Sequence, residues 1–216
     1  LHRVQGSGSM IDLTELEHDT ISELINIGVG RAASSLSEMV EQPVELTVPR
    51  ITFVERFSDT DLAKAPTEIV SAVSQTFDGP FKGEAMLVFP EERSLELVRS
   101  LLKVDVPLEA LTDLEQEALM EVGNIILNAC LGSISNVLGE PINCSMPSFR
   151  KRESRSLLDQ DDASSQTGKK PVLMILHVQF MLRQNDIDGY VLFVMDLDSI
   201  QMLRELVRRF LANSLG

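Results

Sequence analysis

The chain has 216 residues, 44% hydrophobic and 24% charged, a composition typical of a globular protein with one domain or two small halves that share a core. Its 33 acidic residues outnumber 19 basic ones, and the net charge of −14 argues against nucleic-acid binding because it repels phosphate backbones. No apolar run approaches the ~18 residues that a membrane-spanning helix needs and no signal peptide is visible, so we expect a cytoplasmic protein without membrane insertion. Residues 1–9 resemble a cloning remnant ahead of a native start at Met10 and are left out of the fold prediction.

The first half of the chain predicts a helix, a strand, a hairpin and a second helix. Thr14 lies three residues before Glu17, which is the spacing of a capping box, and apolar residues then recur every three or four positions as far as Val40. This pattern predicts a long amphipathic helix that ends before Pro43. The later elements are predicted at Val44–Glu55, Ile69–Phe77, Gly83–Phe89 and Ser94–Leu102, with a turn at Asp78-Gly79-Pro80 between the two hairpin strands.

The second half repeats this order. Thr112 and Glu115 have the same capping spacing, and the helix that follows is predicted to end before Pro141. The polar stretch at about 151–170 is predicted to be a flexible loop. The remaining elements are predicted at Ile142–Arg150, Val172–Leu182, Tyr190–Met195 and Ser199–Leu211, with a turn formed by Asn185-Asp186-Ile187-Asp188-Gly189.

The repeated order predicts a single domain over residues 10–216, built from two repeats at about 10–105 and 106–216. Local hairpins without crossover helices between their strands favour an antiparallel sheet and an α+β fold. We therefore expect a pseudo-twofold duplicated unit whose two long helices lie on one side of the sheet.

A sparse polar pattern also occurs twice, 98 residues apart, and in both copies 22 residues separate an asparagine from a later proline. A shared core would repeat only the apolar periodicity, so this repeat indicates two copies of one surface site. The first copy is Thr14-x-x-Glu17-x-Asp19-x-x-x-Glu23-x-x-Asn26 with Pro49, and the second is Thr112-x-x-Glu115-x-Glu117-x-x-x-Glu121-x-x-Asn124 with Pro147.

Helical spacing places the polar residues of each copy on one face, because positions i, i+4 and i+7 are neighbours on a helix. The apolar residues lie mostly on the opposite side, so these side chains are expected to face solvent. A solvated helix face is the ordinary interpretation of any one such stripe, and the duplication is what favours function. The stripes consist of Asp19, Glu23 and Asn26 in the first helix and Glu117, Glu121 and Asn124 in the second.

Residues for metal or thiol chemistry are scarce. Outside the cloning remnant only His18 and His177 are available beside two distant cysteines, so no metal site is predicted. Cys130 and Cys144 are expected to be reduced and buried.

The duplicated residues resemble the signature of the CheC/CheX/FliY family of chemotaxis phosphatases, and two copies in one chain resemble the CheC type. That signature has Asp or Ser, then Glu after three residues, Asn after two more and Pro after 22 more. The first copy matches it completely. The second departs from it only at Glu117, where the family has Asp or Ser.

The resemblance implies hydrolysis of the aspartyl phosphate of the response regulator CheY. Asn26 and Asn124 would position the attacking water through their amide donor and acceptor atoms. Glu23 and Glu121 would pair with a lysine of the receiver domain. The receiver would supply Mg²⁺, and this chain would bind no cofactor. Asp19 and Glu117 would support docking, and Pro49 and Pro147 would shape the strand beside each helix.

The resemblance also implies CheD, a receptor deamidase, as a partner. We expect the chain itself to be monomeric. Two other functions stay open. The chain could be a non-enzymatic adaptor that binds a receiver domain or CheD, although a pure binder would not need the asparagines. It could also be a flagellar switch component, although such chains carry a further domain.

Overall fold

A computed structural model describes residues 13–54, 64, 67–102, 112–157, 172–182 and 185–214. Four helices and seven strands lie in these ranges, and every strand pairing is antiparallel. The predicted α+β fold with an antiparallel sheet is therefore confirmed. The helices are α1 Glu15–Val40, α2 Glu91–Leu102, α3 Thr112–Leu138 and α4 Leu197–Ser214. The strands are β1 Glu45–Val54, β2 Ile69–Asp78, β3 Gly83–Pro90, β4 Asn143–Cys144, β5 Ser148–Glu153, β6 Val172–Leu182 and β7 Asn185–Met195.

The sheet is built by an exchange of strands between the two halves. Its order is β1-β6-β7-β3-β2-β4, and β5 also pairs with β2. The strand that follows α1 thus pairs with the second hairpin, and the strands that follow α3 pair with the first hairpin. Exchanging the halves leaves this order unchanged, as the predicted pseudo-twofold arrangement requires.

Side chains of all four helices pack into one main core on one face of the sheet. The two long helices also pack against each other at Gly28, where an added Cβ would lie 2.7 Å from the carbonyl oxygen of Ala129 and 2.8 Å from Cα of Cys130. Only a residue without a side chain permits this approach. Alternate strand residues on the opposite face form a second, smaller cluster that includes the buried Leu157.

The start of α1 is tied to α4 through Glu17. Thr14 and Glu17 form the predicted capping box, in which Thr14 N donates to Glu17 Oε2 at 2.8 Å and Glu17 N donates to Thr14 Oγ1 at 3.2 Å. The Glu17 carboxylate is also paired with Arg204, at 3.0 Å, and with Arg208. Burial raises the pKa of this carboxyl, but the hydrogen bonds from Thr14, Arg208 and Arg204 outweigh burial and lower the pKa below its ordinary value. The second predicted cap, at Thr112 and Glu115, lies outside the described side chains and stays a prediction.

The turn predicted at Asn185–Gly189 is wrong. These residues belong to β7, and Leu182 pairs with Asn185, so the hairpin connection is shorter than predicted. Ile187 is fully buried within this segment. Gly189 serves packing, because an added Cβ would lie 2.3 Å from an atom of the Phe89 ring.

The flexible loop predicted at about 151–170 is wrong over its first part. Strand β5 extends to Glu153, a 3₁₀ turn follows at Ser154–Ser156, and Leu157 is buried in the second cluster. Pairing with β2 supplies the backbone hydrogen bonds that the polar sequence did not reveal. The remainder of the predicted loop, residues 158–170, lies outside the described residues.

One helical segment, Gln116–Leu138, is long and apolar enough to cross a membrane by length and composition, with a mean hydropathy of 1.3. Half of its most apolar window is buried inside the protein. Its position in the main core accounts for this composition, because Leu119, Val122 and Ile126 pack there.

Gly28 and Gly30 are expected to respond in opposite ways to alanine. Gly28→Ala should lower the free energy of unfolding by about 1–3 kcal/mol, because the new Cβ forces α1 and α3 apart. Gly30→Ala is the matched control, since no atom beyond its own turns of α1 lies within 4 Å of the position that its Cβ would take. It should raise the free energy of unfolding by up to about 1 kcal/mol. Urea unfolding followed by circular dichroism measures both, and equal shifts for the two variants would contradict the assigned helix contact.

Glu17→Gln should make stability less dependent on pH. A lowered pKa in the folded state means that the carboxylate stabilises the fold above its ordinary pKa of 4.5, and that this contribution is lost as pH falls through the folded-state value. The variant should lose about 2 kcal/mol at pH 7 and progressively less below pH 4.5. Glu205→Gln, which removes an exposed pair with Arg209 on α4, should change stability by less than about 0.5 kcal/mol. If Glu17→Gln still lowers the free energy of unfolding by about 2 kcal/mol at pH 2, the ion pairs with Arg204 and Arg208 are not the cause of the lost stability.

Candidate functional site

The first polar stripe is exposed along α1. Asp19, Glu23 and Asn26 all face solvent, and the Asp19 side chain is 80% exposed, with His18 Nδ1 at 3.9 Å. Within the described residues, the side chains of Glu23 and Asn26 make no hydrogen bond and no ion pair. The predicted partner strand β1 has an irregularity in its pairing between Thr47 and Arg50, which includes the position of Pro49. The side chain of Pro49 itself lies outside the described residues.

The second polar stripe opens into a groove of about 520 Å³ between α3 and the edge of the sheet. Four residues that the sequence assigned to one site lie together there, although they are spread from position 117 to position 147. Glu117 and Glu121 are exposed and form no ion pair with any described residue, so the groove offers two free carboxylates. The lining residues are Gln75, Glu117, Met120, Glu121, Asn124, Asn128, Cys144, Ser145, Met146 and Pro147.

One wall of the groove is a short segment, residues 145–147, that interrupts the predicted strand Ile142–Arg150 and divides it into β4 and β5. Ser145 N donates to the carbonyl oxygen of Thr76 at 2.9 Å, and Thr76 N donates to Ser145 Oγ at 3.0 Å. These bonds fix the segment to β2. Met146 is 86% exposed beside Pro147, and an apolar side chain in this position suits contact with a partner protein.

Asn124 is held by two neighbours that the sequence did not assign to the site. Asn128 Nδ2 donates to Asn124 Oδ1 at 2.7 Å, and Gln75 Nε2 donates to the same oxygen at 3.3 Å. Gln75 Nε2 also donates to the carbonyl oxygen of Ser145 at 3.0 Å. Asn128 lies one turn after Asn124, so extending the stripe by one turn reaches it, but as a short side chain that lets a partner approach and not as a hydrogen-bond partner of Asn124. For Gln75 the signal was a lone amide between the core-facing residues Val73 and Phe77.

Both cysteines are free, as predicted, but only one of the two that were predicted to be buried is buried. Cys130 is buried at the contact with α1, and burial raises the pKa of its thiol to about 12. Cys144 is exposed and lines the groove, which contradicts its predicted burial, because β4 is a short edge segment. Partial burial of the thiol still raises the pKa of Cys144. Both thiols are therefore protonated at neutral pH and poorly suited to nucleophilic catalysis.

No group of three or more histidine, cysteine or acidic side chains that could hold a metal ion occurs within the described part of the chain. The groove carboxylates Glu117 and Glu121 stand as a pair on one helix face. A pair of this kind suits a cationic partner group better than a tightly coordinated ion, which needs more ligands.

Sequence comparison matches residues 16–52 to the CheC-like family. The chain is 28% identical over 141 residues to the flagellar motor switch phosphatase FliY of Bacillus subtilis. The aligned residues make up 63% of this chain but only 36% of that relative. It is 21% identical over 199 residues to the CheY-P phosphatase CheC of Bacillus subtilis. This second alignment includes 88% of this chain and 93% of that protein.

Solved structures share the fold. FliY of Thermotoga maritima superposes with a TM-score of 0.70 at 20% identity, covering 93% of this chain and all of that one. The FliM middle domain of H. pylori superposes with a TM-score of 0.61 at 12% identity, covering 90% of this chain and 99% of that domain. A chain of a CheX–CheY–BeF3–Mg complex of Borrelia burgdorferi superposes with a TM-score of 0.50 at 16% identity, covering 81% of this chain and 99% of that one. The predicted resemblance to the CheC-type family is confirmed by these comparisons.

Proposed function

We propose that this chain is a phosphatase that hydrolyses the aspartyl phosphate of a CheY-like receiver domain at its two duplicated sites. The groove at the second site carries the proposal, because it gathers Glu117, Glu121, Asn124 and Pro147 beside an exposed apolar wall. The names of the relatives, a CheY-P phosphatase and a motor switch phosphatase, support the same reaction.

The chemistry asks little of the phosphatase itself. A receiver aspartyl phosphate is an acyl phosphate, so its P–O bond is already activated. Water attacks phosphorus in line, the bond to the aspartate oxygen breaks, the aspartate leaves as a carboxylate, and the water proton passes to solvent. Asn26 and Asn124 reduce the entropic cost of attack by positioning the hydrolytic water beside the phosphoryl group. No thiol or hydroxyl nucleophile is required.

Docking depends on the carboxylates. Glu23 and Glu121 each pair with the receiver lysine that lies beside the phosphate, and this charge-assisted hydrogen bond sets the register of the complex. Asp19 and Glu117, one turn earlier on the helices, contribute attraction to the docked receiver. Exposure of all four carboxylates supports these roles, since none of them is committed to a strong internal pair among the described residues.

A second candidate function is a structural role in the flagellar switch, and the likeness to the FliM middle domain favours it. Decay of the phosphorylated receiver with and without this protein separates the two functions. A switch component or an adaptor would bind the receiver without shortening the lifetime of its phosphate. CheD binding, a monomeric state and a cytoplasmic location belong to the same proposal.

Replacement of both asparagines should abolish the activity. Each of Asn26→Ala and Asn124→Ala should lower the rate at its own site by about 10²–10³, because a group that orients or stabilises the reacting centre is lost. If the sites are independent, each single variant keeps the rate of the other site, and only the double variant falls near background. Receiver dephosphorylation measures these rates.

Asn136→Ala is the control, since Asn136 is an exposed asparagine on α3 away from the groove. It should keep the full rate. Circular dichroism verifies that the double variant is folded. A folded double variant that still accelerates dephosphorylation fully would show that the asparagines are not catalytic.

Magnesium should act only through the substrate. Titration calorimetry is expected to detect no tight Mg²⁺ binding to the isolated protein, because a pair of exposed carboxylates supplies too few ligands. The same titration of the receiver should detect binding, and dephosphorylation should lose its dependence on Mg²⁺ once the receiver is saturated. Tight binding to the isolated protein that disappears in Glu117→Gln would contradict this assignment.

A further inference from the structure

Gln75 is an unusual residue for its position. It lies on the helix-facing side of β2 between the core residues Val73 and Phe77, and it is only 2% exposed. A buried amide in a core costs free energy unless hydrogen bonds compensate for its lost hydration. Its Nε2 donates to both Ser145 and Asn124, while its Oε1 has no partner within the described residues. A residue kept in the core under these conditions calls for a reason other than packing.

The bonds around Gln75 determine which way the Asn124 amide faces. The Ser145 carbonyl oxygen can only accept, so it fixes the Nε2 end of Gln75 toward Asn124. Asn128 Nδ2 also donates a hydrogen bond to Asn124 Oδ1. An amide that meets two donors must present its oxygen to them, and a rotated Asn124 would set N–H groups against N–H groups. The Asn124 Oδ1 atom therefore faces inward, and its two N–H donors are left for the groove.

The first site has neither of these partners. The 98-residue repeat relates Arg50 to Ser148, whose strand partners are His177 and Ser74 respectively. Val178 follows His177 in the chain, and Gln75 follows Ser74. Val178 therefore occupies, at the first site, the position that Gln75 occupies at the second site. Val178 is fully buried in the apolar core. The counterpart of Asn128 is Gly30, which has no side chain, and Asn26 is exposed.

We propose that Gln75 and Asn128 are positioning residues that hold Asn124 as a hydrogen-bond donor toward the phosphoryl group, and that the first site lacks this arrangement. The inference rests on the proposed phosphatase function. Donation from Nδ2 stabilises the negative charge on the phosphoryl oxygens while water attacks. Asn124 positions that water through its N–H groups alone, because its Oδ1 already accepts from Gln75 and Asn128. Asn26 has no such restraint and must be ordered by the substrate itself, so the second site is the more strongly preorganised of the two.

The kinetic test isolates each site with an asparagine variant. In the Asn26→Ala background, Gln75→Met and Asn128→Ala should each lower the saturating rate of receiver dephosphorylation about tenfold, because Asn124 is no longer held in one orientation. The half-saturating receiver concentration should change less than twofold, since Glu121 still docks the receiver. A rise in that concentration without loss of the saturating rate would overturn the positioning role.

Two comparisons separate positioning from general destabilisation. Gln42→Met removes another buried glutamine whose Nε2 donates to a backbone carbonyl, that of Ser100 at 3.2 Å, and whose Oε1 is also without a partner among the described residues. It should lower thermal stability as Gln75→Met does and keep the second-site rate. A tenfold loss caused by Gln42→Met, or by Gln75→Met in the Asn124→Ala background, would overturn the proposal.

A measurement without substrate tests the inference independently of the reaction. Nitrogen-15 relaxation of the side-chain NH₂ groups should show Asn124 ordered and Asn26 mobile, and Gln75→Met with Asn128→Ala should make Asn124 as mobile as Asn26. Equal mobility of the two asparagines in the unsubstituted protein would overturn the inference. If the unsubstituted protein does not accelerate dephosphorylation, the proposed function fails, and the relaxation data still decide whether Asn124 is held.

Discussion

The close contact between α1 and α3 is the constraint on which the rest of the structure depends. Gly28 allows the backbone of α3 to approach α1 at Ala129 and Cys130 while both helices also pack on one face of the sheet. Each helix thereby buries two adjoining sides, one against the sheet and one against the other helix. The glutamate and asparagine of each polar stripe are left on the side that solvent or a partner can reach. A small residue in the core thus sets the direction of both proposed sites.

The exchange of strands makes the second site depend on a residue of the first half, which duplication alone would not do. Gln75 belongs to the first half of the chain but contacts Asn124 of the second, because β2 pairs with β4 and β5. A change at Gln75 therefore alters the site that the second half carries. The two copies have diverged by this route: an amide holds one asparagine, while the matching position of the other copy is the apolar Val178.

Where sequence prediction of the elements was wrong, distant pairing had overruled local preference. The polar residues of β5 would not form a strand alone, but the hydrogen bonds of β2 stabilise them in one. Asn185, Asp186 and Gly189 have turn propensity, yet they extend β7 because β6 continues opposite them and Gly189 leaves room for Phe89. The segment at Ser145 interrupts a strand because its bonds to Thr76 hold it in another path.

The sequence by itself determined the features that depend on neighbours a few residues away. These are the capping box at Thr14, the two long amphipathic helices, the first hairpin, and the stripes that carry Glu23, Asn26, Glu121 and Asn124, since capping, helical periodicity and a tight turn are local. It also predicted the α+β class and the family resemblance. Only the tertiary structure decided which strands pair across the halves, that residues 145–147 interrupt a strand, and that Gln75 holds Asn124. Those contacts join residues tens of positions apart, and no local pattern encodes a hydrogen bond whose partners meet only after the sheet has formed.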